Sequence, residues 1–428
     1  MEYELKTNAL NKKALAYILS EKKMSVDELT DIILHTTQMD IRYKFIILNA
    51  DETTYMEIQE QDIEKDSISY SEKYEKGERK SLSFSLINTN GKYTPTSNKK
   101  NILQNKEYDN ELWADTKIEF YIGFNYLGTD IFFKKGIFCI TSISGVESNS
   151  ESKIDLTLSD KYSLLSGKQG TLLDTYEIPV GSEALKVIRD LFNMPMGTGY
   201  LFDYKPIIYD NRFKDFKTQA TIRKDSGDTI SSIIDDIATQ MSANYYYNDN
   251  GNFVLEYLSE TTFDTNKITC WNFYEKNNDL FDISYSYNFS EAINIIKVIG
   301  DNVSNGLYFA TVVNNDPRSP ICTGRIGNRK EPPITNCNVW NDHMAQELAI
   351  YHLRKKSLLP LSLDLNVKFN PFLVVDYLCT IENPKLNLNN DKCIINSISL
   401  SANGTMSVSA TKINELEFLN VGDEYNGI

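Results

Sequence analysis

The sequence predicts a mainly β protein with an α+β insert: two antiparallel β-barrel-like domains flank a small α+β module, and short N-terminal helices precede them. Three observations carry this prediction. Apolar and polar residues alternate in several stretches, most clearly Ser81-Leu82-Ser83-Phe84-Ser85-Leu86, which puts apolar groups on one sheet face and hydroxyls on the other. The chain holds 26 Tyr and 20 Phe, residue types that suit half-buried pleated surfaces. Its 428 residues exceed one core, since at roughly 150 residues per domain about three are expected.

In chain order, residues 1–40 read as a helical extension. Two short helices are expected within 12–39, the second opening on Ser25-Val26-Asp27-Glu28, a capping-box spacing in which two side chains satisfy otherwise free backbone donors. Leu29, Ile32 and Ile33 then form one apolar stripe. Residues 41–176 form the first barrel-like domain, with strands expected around Leu82–Leu86, Lys117–Ile122, Ile137–Ile143 and Ile154–Leu158, separated by Gly-, Ser- and Asn-rich turns.

Residues 177–278 form the α+β module. Leu185, Ile188, Leu191 and Phe192 mark one helix, and Ile230, Ile233, Ile234, Ile237 and Met241 a longer one. Tyr245-Tyr246-Tyr247, Asn250-Gly251 and Phe253-Val254-Leu255 read as a hairpin, because Asn-Gly accommodates the positive φ of a tight turn. Trp271 to Asn278 is expected to be a linker. Residues 279–428 form the second barrel-like domain: Ile295–Ile299 opens it, and a helix interrupts it with Met344, Leu348 and Tyr351 on one face. Strands Leu361–Phe369, Phe372–Ile381, Cys393–Leu400 and Thr405–Ala410 complete it. Phe138-Cys139-Ile140-Thr141-Ser142-Ile143-Ser144 also resembles Lys392-Cys393-Ile394-Ile395-Asn396-Ser397-Ile398-Ser399 with one residue inserted, which suggests two copies of one barrel fold.

Composition excludes several functions. With 44 Lys and Arg against 59 Asp and Glu, the chain carries a net charge of -15, opposite to the cationic surface that binds nucleic-acid phosphates. Nucleic-acid sequence recognition is therefore not expected. No run approaches the roughly 18 apolar residues of a membrane-spanning helix, so stable membrane insertion is not expected, and Met1-Glu2-Tyr3-Glu4 lacks the basic start of a secretory signal. Synthesis in the cytoplasm follows. Six cysteines (Cys139, Cys270, Cys322, Cys337, Cys379 and Cys393) are spread without a C-x-x-C pair, which suits free core thiols better than a zinc or redox site.

Catalytic signals are thin. Only His35, His343 and His352 offer an imidazole base, there is no G-x-S-x-G elbow, and His343 and His352 are too far apart for an i,i+4 zinc pair. Gly197-Thr198-Gly199 lacks the third glycine of a dinucleotide loop, and Asn248-Asp249-Asn250-Gly251 lacks the closing Glu of a calcium loop. Asp235 and Asp236 are adjacent on a helix and point different ways, as on a solvated face. Arg325-Ile326-Gly327-Asn328-Arg329-Lys330 is the one cationic cluster and reads as an exposed loop or partner contact. No catalytic, cofactor-binding or metal-binding residue is assigned, no cofactor is expected, and the chain is not expected to be an enzyme.

The order of these features resembles the central hub protein of contractile-tailed phage baseplates and phage-derived tail particles. The resemblance runs over roughly 42–412. It is carried by Gly77-Glu78-Arg79-Lys80-Ser81-Leu82-Ser83-Phe84-Ser85-Leu86-Ile87-Asn88 with Gly91-Lys92-Tyr93-Thr94-Pro95, by Trp113 and Lys117–Gly123, and by Gly136–Ile140 with Ile154–Asp160. Downstream, Gly227–Met241 with Tyr245–Tyr257 resembles the module between the barrels, and Phe372–Ile381 with Cys393–Ala410 the second barrel. The resemblance implies a virion structural protein of a contractile injection system, a homotrimer whose six barrels match a sixfold tail tube to a threefold central spike. Implied partners are the tail tube protein, the central spike protein and other baseplate proteins, and the implied location is the baseplate of a virion or tail particle made in a bacterial cytoplasm. The alternatives are a tail-tip cell-wall hydrolase and a host-surface carbohydrate-binding protein. The helical residues 1–40 depart from the simplest hub pattern.

Overall fold

The computed structural model describes residues 25–36, 39–94, 112–148, 152–197, 200–257, 269–274, 277, 279–300, 308–336, 339, 341–357, 361–402 and 404–413. The first of the two expected N-terminal helices lies outside them. The second is α1 (Val26–His35), and its capping box forms: Glu28 N donates to Ser25 Oγ at 3.1 Å and Ser25 N to the Glu28 carboxylate at 2.6 Å. Leu29, Ile32 and Ile33 are buried in the main core.

The fold is mainly β, as the alternation predicts. The first unit consists of β1 (Asp40–Leu48), β2 (Thr54–Glu57), β3 (Ile63–Lys73), β4 (Lys80–Ile87), β5 (Lys117–Tyr126), β6 (Thr129–Glu147) and β7 (Ser152–Asp160). Every pairing within it is antiparallel, in the order β2-β1-β5-β6-β7-β4-β3. Leu82, Phe84 and Leu86 of β4 are all buried, and each full burial of such a side chain contributes about 1.5–3 kcal/mol.

Next comes the α+β module. It contains α2 (Tyr162–Ser166), β8 (Tyr176–Ile178), α3 (Ala184–Phe192), β9 (Pro195–Gly197), β10 (Tyr200–Leu201), β11 (Ile208–Tyr209), β12 (Ile222–Lys224), α4 (Ile230–Gln240), β13 (Ala243–Tyr247) and β14 (Phe253–Tyr257). It has a core of its own, built on Ile188, Leu191, Ile233, Ile234 and Ile237, which also takes Cys139 from β6. The expected hairpin is β13–β14. Gly251 sits at φ 74° in its turn with a Cβ position 2.6 Å from Ile137 Cδ1, so only glycine fits there without strain or displacement.

The second unit begins with β15 (Thr269–Tyr274) and β16 (Leu280–Tyr287). The segment Trp271–Asn278, expected to be a linker, therefore begins as a strand, with Trp271 and Phe273 buried. An insertion follows: β17 (Ile295–Gly300), β18 (Phe309–Val313), α5 (Thr323–Ile326), β19 (Ile334–Asn336) and α6 (Asp342–Ser357). Its three strands form a separate sheet over a separate small core. Among the described side chains of α6 the fully buried ones are Ala345, Ala349 and Leu353, with Met344 and Leu348 only partly covered, so the buried stripe is rotated from the expected face. The unit closes with β20 (Leu361–Lys368), β21 (Leu378–Asn383), β22 (Leu388–Leu400) and β23 (Thr405–Lys412), in the order β15-β21-β22-β23-β20-β16.

The two units share one strand order. Numbered along the chain without the short β2, the six strands of each lie in space as 1-4-5-6-3-2. One pairing differs: β1 runs antiparallel to β5, whereas β15 runs parallel to β21. The registers match in detail. β6 carries a bulge at Thr141 against β7, and β22 one at Asn396 against β23. Aligning the bulges makes Ser142-Ile143-Ser144 equivalent to Ser397-Ile398-Ser399 and Ile140 to Ile395, with no insertion. Cys393 then matches Phe138 rather than Cys139, because Phe138, Ile140, Cys393 and Ile395 face the common core while Cys139 and Ile394 point away from it.

Both units are curled: in the first, the Phe45 and Phe84 rings lie 4.1 Å apart although β1 and β4 are four strands apart, about 19 Å in a flat sheet. β15 and β16 lie on opposite edges of six strands, about 24 Å apart in a flat sheet, yet Tyr274 and Leu280 are joined by a connection that reaches at most about 20 Å. A single hydrophobic cluster lines both units, bridged by the Phe124–Phe369 ring contact at 6.4 Å. Lys368 of the second unit donates to the carbonyls of Ile33 (2.6 Å) and Thr36 at the end of α1, where free carbonyls and the helix dipole favour a cation.

Candidate assembly interface

The units join edge to edge. The end of β3 pairs antiparallel with β22, with Tyr70 opposite Leu400, Ser71 opposite Ser399, Glu72 opposite Ile398 and Lys73 opposite Ser397. Tyr74 N adds a hydrogen bond to the bulge carbonyl of Asn396 at 2.7 Å. This seam fuses the sheets into one of thirteen strands. Its backbone groups are paired as in any antiparallel ladder, and Tyr70 is only 3% exposed.

The turn between β3 and β4 clips this seam to the α+β module. Arg79 lies between two rings, its guanidinium carbon 3.5 Å from the Tyr246 centroid and 5.0 Å from that of Tyr74, while its Nε donates to Glu75 O at 2.8 Å. Gly77 N donates to Tyr245 O at 2.9 Å, and Lys76 pairs with Asp235 at 3.2 Å. A guanidinium held over an aromatic face out of water gains from the ring quadrupole.

Beneath this lies a buried ionic cluster. Lys161 Nζ is 2.5 Å from Glu52 and 2.7 Å from Asp203, and Glu52 is also 2.9 Å from Lys117. The side chains of Lys161, Asp203 and Glu52 are 0%, 1% and 3% exposed. Burial works against the charge on Lys161 and on Glu52, but their partners outweigh it: the ammonium is held above the usual lysine value and the Glu52 carboxyl below the usual carboxylate range. The cluster ties the turn after β1 to the start of the module.

Asp160, at the end of β7, behaves differently. It accepts from Arg79 N (2.8 Å), Lys80 N (3.1 Å) and Tyr162 N (3.0 Å), yet burial pushes it up to about 6. A carboxylic acid raised in the folded state stabilises the fold below its unfolded value, and this contribution is lost as pH rises through the folded value. From pH 3.5 to pH 7 the wild type should therefore lose stability relative to Asp160→Asn by on the order of 3 kcal/mol. Urea unfolding of both proteins at the two pH values checks this. An unchanged or opposite difference would mean that the three N–H donors outweigh burial.

The residues that the sequence marks for possible chemistry are not brought together. His35 lies 3.1 Å from Asp31, His343 lies 3.1 Å from Glu347, and the His352 ring packs on Tyr351. Asp235 accepts from Tyr245 Oη at 2.8 Å as well as pairing with Lys76, and Asp236 pairs with Lys224 at 2.9 Å; both are structural tethers rather than a purely solvated face. Gly197 ends β9, and Thr198 and Gly199 lie outside the described residues. Asn248 Oδ1 accepts from Asn250 N and Asn252 N, both at 3.0 Å, as a turn former, and Asp249 pairs with the buried Lys80. The 325–330 loop is mostly exposed, anchored by Arg329 N on Asn294 Oδ1 at 2.8 Å.

Cys139, Cys270, Cys322, Cys379 and Cys393 are free thiols, and burial pushes Cys139 and Cys393 up to about 12. Cys337 lies outside the described residues. Among the described residues no group of three or more His, Cys, Asp or Glu side chains is placed to hold a metal ion, and no helix is long and apolar enough to cross a membrane. The ionic cluster and the seam were missed in the sequence. Four charged residues dispersed over 52–203 form no motif, and backbone pairing leaves no side-chain signature.

No family model and no curated protein matches the chain. Solved structures do match its fold. The 43 kDa tail protein of prophage MuSo2 from Shewanella oneidensis is 14% identical with a TM-score of 0.54, over 87% of this chain and 98% of that one. The tail protein from Neisseria meningitidis MC58 is 10% identical with a TM-score of 0.58, over 88% and 97%. A chain of the half-lidded Francisella PdpA-VgrG complex is 10% identical with a TM-score of 0.50, over 99% and 67%. The chain thus has the fold of phage tail proteins, in keeping with the hub resemblance of its sequence.

Proposed function

We propose that the chain is the central hub of a phage or phage-derived tail baseplate, a homotrimeric symmetry adaptor between a sixfold tail tube and a threefold central spike. The observation that carries this reading is the doubled strand order. Two equivalent curled units per chain become six in three copies, so one ring offers six like units to one neighbour and three chains to another. The likeness of fold to two tail proteins over almost their whole length supports it. Its partners are then the tail tube protein, the central spike protein and other baseplate proteins, and its place is the particle baseplate after synthesis in the bacterial cytoplasm. The work done is positional, with no bond made or broken.

Light scattering of the purified chain should give about three times the 49.0 kDa chain mass; a stable dimer or tetramer overturns the trimer. A wall-hydrolysis assay tests the absence of chemistry. His343→Ala should leave assembled particles as infective or lethal as wild type, since substitutions at exposed sites typically stay within about 0.5 kcal/mol. His352→Ala and Asp235→Asn, at half-buried sites where Asp235 tethers Tyr245 and Lys76, should lower stability at most, and the particles that assemble should be as infective or lethal as wild type. Normal particles that lose activity together with a wall-degrading function would replace the structural reading with an enzymatic one.

A further inference from the structure

A second repeat lies at the strand edges. Ile68-Ser69-Tyr70-Ser71 of β3 recurs as Ile283-Ser284-Tyr285-Ser286 of β16. The two copies are in register: Tyr70 pairs with Leu82 and Tyr285 with Leu363, and these in turn pair with Leu158 and Ala410, which are equivalent by the aligned bulges. Tyr285 is therefore the counterpart of Tyr70, and β6 is the counterpart of β22.

Within one chain only half of this arrangement is used. The β3 edge is docked on Ser397–Leu400 of β22, and Tyr70 is 3% exposed. The corresponding β16 edge has no further strand among the described residues, and Tyr285 is 59% exposed, with Tyr287 at 45% and Phe289 at 61%. The receiving edge is open as well. Beyond Ile140, β6 pairs with β7 on one side, and no described strand takes the other. An open groove of about 580 Å³ runs beside it, lined by Trp113, Ile143, Gly145 and Val146 among others. Edges of unpaired backbone groups with exposed aromatics are templates for strand addition.

We propose that copies of this chain join head to tail by repeating the internal seam. Tyr285–Asn288 of one copy adds antiparallel to Ser142–Gly145 of the next, with Tyr285 opposite Gly145, Ser286 opposite Ser144, Tyr287 opposite Ile143 and Asn288 opposite Ser142. The occupant is a second copy because the strand that fills the equivalent edge inside the chain carries the same Ile-Ser-Tyr-Ser sequence. The contact is heterologous, so it propagates in one direction and forms a ring where the rotation closes. It deepens the ring reading, on which it rests only for the number of copies.

The test joins Ser144→Cys with Ser286→Cys in the full chain and treats the protein with a short bismaleimide. The control joins Ser142→Cys with Ser284→Cys, four residues out of register and about 14 Å apart in the same ladder. The in-register pair should yield covalent dimer and trimer at least about tenfold more efficiently than the control, because bridging falls off steeply with separation. Cross-linked species that end at dimer or tetramer keep the seam and overturn the trimer. A trimer by light scattering whose in-register pair reacts no better than the control overturns the seam and leaves the trimer standing. A chain that stays monomeric and uncross-linked at the same concentration overturns both.

Discussion

Phe84→Asp and Leu365→Asp should each abolish assembly. The two positions are equivalent in the two units, since Phe84 pairs with Leu156 and Leu365 with Val408 at matching places in the ladders. They are 1% and 2% exposed, and Phe84 stacks on Phe45 with ring centroids 4.1 Å apart. An unpaired carboxylate at either site costs on the order of several kcal/mol, against about 5–15 kcal/mol for the whole stability of a domain. Phe84→Leu, which keeps an apolar group of similar size, should cost under about 1.5 kcal/mol. Complementing a deletion and counting intact tails reads the outcome, with urea midpoints of the purified chains beside it. Normal tails from either Asp variant would mean that the aligned cores are not what hold the units in shape.

Lys161→Met should destabilise the chain by about 3–5 kcal/mol, the usual penalty for removing one member of a buried ion pair. Methionine fills the stem of the lysine, so lost packing is small and the effect reports the stranded charges. Asp203 and Glu52 would face each other without Lys161 between them, with Lys117 at 2.9 Å and Lys205 at 3.6 Å left to pair with Glu52. Replacing Asp203 by Asn in the same chain should recover part of the loss. The pH dependence has a defined sign. The depressed Glu52 contributes stability above its unfolded value and loses it as pH falls through its folded value, whereas the raised Lys161 contributes below its unfolded value and loses it as pH rises through its folded value. Both contributions should therefore be present at neutral pH; in the variant that of Lys161 is lost and that of Glu52 is reduced to what Lys117 still supplies. A Lys161→Met protein as stable as wild type at pH 7 would show the cluster to be energetically neutral.

Much of the fold was legible where one side chain signals one backbone state. Ser25 with Glu28 marks the start of α1, Ser81–Leu86 marks β4, and Asn250-Gly251 marks the β13–β14 turn. Signals failed where burial is carried by residues that look neutral or by contacts distant in sequence. In α6 the covered stripe is Ala345, Ala349 and Leu353; alanine weighs little in an apolar pattern, so the larger Met344 and Leu348 drew the face toward themselves. Trp271 and Phe273 alternate as a strand should, yet their partner β21 lies far along the chain, and the stretch read as a linker. The cysteine match misled by one residue because the identity of Cys139 and Cys393 outweighed the bulges, which only the ladder reveals. Lys161 looks like any surface lysine until Glu52 and Asp203 fold around it.

The one pairing that breaks the repeat, β15 parallel to β21 where β1 opposes β5, makes the two units differ in the direction from which the chain enters them. Apart from this reversal, the two units carry the same pairing scheme, so along its seams the protein reads as a run of near-identical tiles. The reversal makes the backbone enter successive tiles from opposite rims, one fed from α1 and the other from the α+β module. The proposed ring is then a sequence of alternating doublets rather than of singles. In the ring proposed above, a neighbour gripping only the shared tiles would count every one of them, and a neighbour gripping an entry rim would count every second one.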